Sequence, residues 1–132
     1  YLNSRVKFRE EFRPFAPAVL FEHVSDYFEI KQESPHMLIA CQATERAKKE
    51  IPATVHVDGS CRVQTVKPEN NEHFFNLLSA FFLQTGCPVL LNTSFNVKGQ
   101  PIVNTPLQAI DCYLSTNIDC LVVGDFFVEK NQ

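Results

Sequence analysis

Residues 85–106, TGCPVLLNTSFNVKGQPIVNTP, decide how the rest of the chain is read. Cys87 to Leu91 is apolar and reads as a short buried strand. It runs into Asn92-Thr93-Ser94-Phe95-Asn96, whose small polar side chains follow neither a helical nor an alternating period. Gly99 and Pro101 break the chain. Thr105-Pro106 then reads as an N-cap with proline at the first helical position, opening a helix to about Thr116. A strand whose end delivers amides and hydroxyls to one place is the usual site geometry of an open α/β sheet. Lys98 is the only formal charge between Glu72 and Asp111, so any buried members of this polar set need hydrogen-bond partners. On spacing alone, a structural turn in which they bond backbone is slightly favoured.

Working outward, Glu72 to Leu83 carries apolar residues at Phe74, Phe75, Leu78, Phe81 and Phe82, the spacing of an amphipathic helix, with Gly86 as its stop. Leu121–Gly124 and Phe126–Glu129 read as a buried strand and a final short strand. Upstream, Thr54–Val57 and Cys61–Val66 flank Asp58-Gly59 and predict a hairpin. A two-residue loop would place Arg62, Gln64 and Ser60 on one face and His56, Cys61 and Val63 on the other; a longer, bulged loop would overturn that assignment. Pro14–Leu20 is rich in proline and reads as an edge strand or connector. Phe21–Phe28 looks helical, Met37–Gln42 a strand and Glu45–Glu50 a charged turn or helix. Residues 2–13 could make a short helix closed by Pro14, with Arg5, Arg9 and Arg13 on one face; in an extended chain Arg5, Lys7, Arg9 and Arg13 would share one instead. The order of elements predicts an α/β (α+β) fold with a largely buried mixed sheet flanked by helices.

Composition narrows the function. The chain has 132 residues, 45% hydrophobic, with a net charge of −3, which suits one domain with a real core and argues against a sequence-independent nucleic-acid binder. Twelve Phe and no Trp suggest a Phe-rich core. Five cysteines, an odd count with no C-x-x-C, fit reduced thiols in a cytoplasmic protein. No run approaches the ~18 apolar residues of a membrane span. The sequence holds no phosphate-binding glycine loop, H-E-x-x-H, metal-spaced His/Cys set or G-x-S-x-G, and Ser94 has no evident triad partners. The first residue is Tyr, and the chain reads as a piece of something longer. What remains is Lys7, Arg13 and Arg62 with Asn92, Ser94 and Asn96. Guanidinium forks with amide and hydroxyl donors make a receptor for phosphate or carboxylate oxygens, able to promote phosphoryl chemistry by positioning and charge.

Three blocks, Lys7-Phe8-Arg9-Glu10-Glu11-Phe12-Arg13-Pro14-Phe15-Ala16-Pro17, His56-Val57-Asp58-Gly59 with Arg62-Val63-Gln64-Thr65-Val66, and Asn92 to Asn96 with Gly99 and Pro101 to Pro106, closely resemble the C-terminal domain of the NodU/CmcH-type O-carbamoyltransferases. The resemblance implies a single YrdC-like domain over residues 1–132. Such a domain binds carbamoyl phosphate and ATP with Mg²⁺ and forms carbamoyl adenylate. An actin/Hsp70-like N-terminal domain that holds a metal ion, absent here with an upstream Gly-Pro-Arg block, then passes the carbamoyl group to a substrate hydroxyl. It implies catalytic roles for Lys7, Arg62 and Ser94, and carbamoyl-phosphate or nucleotide contacts from Lys7, Arg13, Arg62, Asn92, Thr93, Ser94 and Asn96. The expected partners are these ligands, a hydroxyl-bearing acceptor and the N-terminal domain, with neither nucleic acid nor membrane; a homodimer is compatible. The isolated piece is expected to be inactive as a transferase. Two alternatives stay open: a threonylcarbamoyl-adenylate synthase-like domain for tRNA modification, and a non-catalytic RNA-binding or interaction domain.

Overall fold

The computed structural model describes residues 1–130. Along the chain lie β1 (Ala16–Leu20), α1 (Val24–Tyr27), β2 (Ala40–Gln42), α2 (Glu45–Glu50), β3 (Ser60–Arg62), β4 (Gln64–Val66), α3 (Glu72–Thr85), β5 (Val89–Asn92), α4 (Pro106–Ser115), β6 (Cys120–Val123) and β7 (Phe126–Glu129). The α/β class expected from the sequence is the class observed. The strands form three small sheets rather than one. The residues group into two compact units, one over 14–93 and the other over 1–13 with the chain from Ser94 onward.

In the unit over 14–93, β1 is the centre of a mixed three-stranded sheet ordered β4-β1-β5. β4 pairs parallel to it, Ala18 opposite Gln64, and β5 antiparallel, Ala16 opposite Asn92 and Val19 opposite Val89. The edge-strand reading of Pro14–Leu20 is therefore corrected. Pro17 is tolerated in a central strand because the register with β4 starts one residue later, at Ala18, so the missing N–H falls outside that ladder. Both faces of β1 are covered. Val19 packs with Val24, Tyr27, Phe28, Ala47 and Val63, while Ala18 and Leu20 pack with Leu78, flanked by Phe74, Phe75 and Phe82 of α3. Asn71 caps α3 by accepting from Phe74 N at 3.0 Å. Gly86 ends it at φ +72°, a conformation that costs glycine nothing. β5 is an edge strand with Leu91 exposed, not the fully buried strand its composition suggested.

The Asp58-Gly59 turn forms, but not the predicted hairpin. Asp58 Oδ1 accepts from Ser60 N at 2.9 Å and Ser60 Oγ at 2.7 Å, and Gly59 sits at φ +82°. His56 N–H donates to Ser60 O at 2.8 Å, so the loop holds Val57, Asp58 and Gly59, one residue more than a two-residue turn. The segment before it is a 3₁₀ turn, Pro52–Thr54, where proline removes a ladder donor. β3 instead pairs with β2, Cys41 opposite Cys61. Cys61 and Val63 are buried and Arg62 exposed, as the alternation required, whereas His56 is exposed rather than inward.

In the other unit, α4 is capped by Thr105, whose Oγ1 accepts from Gln108 N at 3.3 Å, with Pro106 at its first turn. Ala109 and Tyr113 pack on Leu121 beside Phe95 and Val103. β6 and β7 form an antiparallel ribbon, Val122 opposite Phe127. All four residues of β7 are exposed, and Phe12, Phe126 and Phe127 stand in solvent, so the Phe-rich core is only part of the use of this residue.

Candidate functional site

Residues 2–13 adopt neither regular geometry that would align their cations. A single π-helical turn, Leu2–Val6, ends at Lys7, and Phe8 then takes a left-handed φ of +51°. A bulky residue there is strained by roughly 1–2 kcal/mol, and such strain concentrates at functional segments. The kink separates Lys7 from Arg9, so a folded loop gathers the cations instead of a helix face or strand face.

Lys7, Arg9, Glu10, Arg13, Ser94, Asn96 and Lys98 surround a cavity of about 290 Å³. Lys7 is only 6% exposed. Its Nζ donates to Ser94 O at 2.5 Å, Asn96 O at 2.7 Å and Asn96 Oδ1 at 2.9 Å. Those bonds use all three ammonium donors. The Ser94 hydroxyl donates to the same Asn96 Oδ1 at 2.7 Å, which leaves its own lone pairs to accept. Asn96 Nδ2 donates to Gln100 O at 3.0 Å. The polar turn is thus held largely by its own backbone and by one lysine, in keeping with the structural role its spacing favoured.

Lys98 bridges to Glu10 at 3.1 Å, and the shared proton donor holds the Glu10 carboxyl below its ordinary value, together with a backbone bond that is the larger cause. Arg13 is exposed and makes no side-chain hydrogen bond or ion pair among the described residues. Burial, then the nearby Arg9 and Arg13, depress the Lys7 ammonium below the usual lysine range, against a smaller opposing pull from Cys112. Burial and Arg13 likewise lower Arg9. Burial and neighbouring cations thus both disfavour the charged forms of Lys7 and Arg9, which an anion nearby would favour.

Of the residues expected at the site, Lys7, Arg13, Ser94 and Asn96 meet around this cavity. Arg62, Asn92 and Thr93 belong to the unit over 14–93. There Arg62 projects exposed from β3, without a side-chain partner among the described residues. Asn92 Nδ2 donates to Gln64 Oε1 at 2.6 Å, tying the end of β5 to β4, and Thr93 is exposed. Sequence reasoning grouped Arg9 with the other cations without placing it at the site, and left out Asn3, Glu10 and Lys98. Lys98 had a signal, as the only charge in its long stretch. Asn3 had none, because a lone Asn near a helix start reads as a cap.

Three comparisons bear on these residues. A family model described as Carbamoyltransferase C-terminus matches residues 1–130. Nodulation protein NolNO of Sinorhizobium fredii is 41% identical over 132 residues, covering 98% of this chain and 19% of that protein. The 3'-hydroxymethylcephem-O-carbamoyltransferase of Amycolatopsis lactamdurans is 37% identical over 129 residues, 98% of this chain and 24% of that protein. An uncharacterized protein of Synechocystis sp. is 44% identical over 149 residues, again 98% of this chain and 24% of the relative. The chain therefore spans about a fifth to a quarter of the length of these relatives.

Proposed function

Because this chain belongs to the carbamoyltransferase C-terminus family, we propose that it is the carbamoyl-phosphate- and ATP-binding domain of an ATP-dependent O-carbamoyltransferase, YrdC-like in fold and located in the cytoplasm. The observation that carries the proposal is the cavity whose described lining brings Lys7, Arg13 and Lys98 together with Arg9 and Glu10. A small, multiply charged anion is the ligand such a set accommodates. The relative from Amycolatopsis lactamdurans is named as an O-carbamoyltransferase, which supports the choice of carbamoyl phosphate over other anions.

In this reading water hydrolyses carbamoyl phosphate to carbamate and phosphate. A carbamate oxygen then attacks the α-phosphorus of ATP, displacing pyrophosphate and leaving carbamoyl adenylate. The acceptor hydroxyl finally attacks the carbamoyl carbon and releases AMP, on a larger polypeptide whose actin/Hsp70-like part holds its own metal ion. Arg13 and Arg62 neutralise phosphate oxygens. Lys7 shapes the turn and adds charge at short range, since its donors are already engaged. Ser94 offers lone pairs to the carbamoyl amide, while Asn96, Asn92 and Thr93 hold the turn in shape. Mg²⁺ would accompany the nucleotide and supply charge stabilisation to its phosphates. Among the described residues no group of three or more His, Cys, Asp or Glu is arranged to hold a metal, and no helix is long and apolar enough to cross a membrane.

Titration calorimetry of this chain with carbamoyl phosphate tests the binding half. Saturable binding that weakens with added salt is expected, with inorganic phosphate competing and threonine plus bicarbonate without effect. The chemical half is read as carbamoyl-phosphate-dependent ATP/pyrophosphate exchange in the longer polypeptide. No exchange under any donor would overturn it, and exchange supported by threonine and bicarbonate would assign the domain to tRNA threonylcarbamoylation instead.

A further inference from the structure

Helix α4 carries apolar side chains on two faces. Ala109, Cys112 and Tyr113 are buried, and Ala109 and Tyr113 pack on Leu121 of β6. Leu107, Ile110 and Leu114 recur at i, i+3 and i+7, a spacing that sets them on one stripe of a helix. That stripe stands in solvent, its three residues 68%, 41% and 68% exposed. The polar residues of the helix are confined to Gln108, Asp111 and Ser115, and Asp111 holds its only charge. A helix that faces water carries charge opposite its buried stripe, whereas one apolar on opposing sides belongs in an interior. Three side chains are far fewer than the roughly 20–30 residues per side with which separate chains hold one another. A partner on the same polypeptide needs no such area, because tethering presents it at about millimolar effective concentration. The relatives are four to five times as long as the part this chain matches, and the matching family model is described as a C-terminus, which puts the greater part of those polypeptides upstream.

We propose that the face of α4 formed by Leu107, Ile110 and Leu114 is the docking surface for the upstream segment of the longer polypeptide, which lies against it as an apolar seam within one molecule. In the longer polypeptide, a benzophenone side chain in place of Ile110 should, on illumination, crosslink to the upstream segment in a product of monomer mass. The same group in place of Gln108, on the polar strip, should crosslink far less. Peptide mass mapping locates the attachment. Leu107→Gln combined with Leu114→Gln should leave the urea midpoint of the present chain unchanged, since both side chains already stand in solvent. In the longer polypeptide the same pair should speed limited proteolysis about tenfold, the loss expected when a buried leucine contact is forfeited. Attachment to a second copy or to residues 14–93, or no attachment at all, overturns the proposal. So does equal proteolysis of variant and parent. A lowered urea midpoint in the present chain would assign the two leucines to its own core and likewise overturn it. No ligand enters these readouts: a chain that binds no carbamoyl phosphate ends the functional reading, and the crosslink still decides the seam.

Discussion

Helix α2 and the loop of residues 7–13 are both dense in charge, and they treat it in opposite ways. In α2 two of the three cations have their own carboxylates, Arg46 with Glu50 at 3.1 Å and Lys48 with Glu45 at 2.6 Å. Both cations are held above their ordinary pKa by those bonds. Around the cavity Lys7 and Arg9 are instead pushed below their ordinary values, first by burial and then by neighbouring cations, Arg9 and Arg13 for Lys7 and Arg13 for Arg9. A paired surface is complete as it stands. A crowded one is complete only with something bound, and that difference separates a solvated helix from a candidate site better than any count of charged residues.

The comparison breaks most visibly at Lys7. Lys7→Ala removes three charge-assisted bonds from the polar turn and should cost about 3 kcal/mol, read as a lower urea midpoint, with carbamoyl-phosphate binding lost. Arg13→Ala and Arg62→Ala should leave the urea midpoint unchanged, because neither guanidinium has a hydrogen-bond or ion-pair partner to lose among the described residues. The Arg13 change should weaken carbamoyl-phosphate binding by about 10- to 100-fold, and the Arg62 change should abolish exchange in the longer polypeptide. An unaltered affinity after Arg13→Ala would erase the contrast with α2.

The buried thiols add a pH signature. Burial, then Cys41 beside it, pushes Cys61 up to about 11. From the ordinary thiol value near 9 up to 11 the folded chain keeps a proton that the unfolded chain has released. Stability should therefore fall as pH rises through that window, by about 1.4 kcal/mol per pH unit for this one group. Cys61→Ala should flatten the slope in alkaline urea titrations, and a slope unaffected by it would locate the proton elsewhere. The depressed Lys7 acts with the opposite sign, since the unfolded chain binds the extra proton below 10.5. At the small end, Glu45→Gln in α2 should alter neither melting temperature nor anion affinity measurably, as exposed pairs contribute little.

How much of this was legible depended on whether a residue's role is local. Helix α3 was readable because the spacing of its Phe residues and the stop at Gly86 are properties of the segment itself, and the Thr105-Pro106 start of α4 was readable for the same reason. The Asp58-Gly59 turn was equally plain. The partner of the strand after it was not, because β3 chooses β2, some twenty residues upstream, over its own neighbour. Pro17 misled in a similar way: proline disfavours a central strand, yet a one-residue offset in register makes it harmless. At the site, residue types announced the cations and the polar turn. Nothing in one dimension showed that Lys7 spends its donors on that turn, or that Asn3 lies buried between two arginines.

The ribbon of β6 and β7 has a consequence for motion. Two strands with one of them exposed throughout have little burial to hold them, whereas β1 is covered on both faces. Amide exchange should accordingly reveal a graded molecule, with β7 opening through small local fluctuations and β1 surrendering its protons only on global unfolding. A segment so loosely held can reshape against a neighbouring surface with little loss, while the sheet around β1 keeps its form.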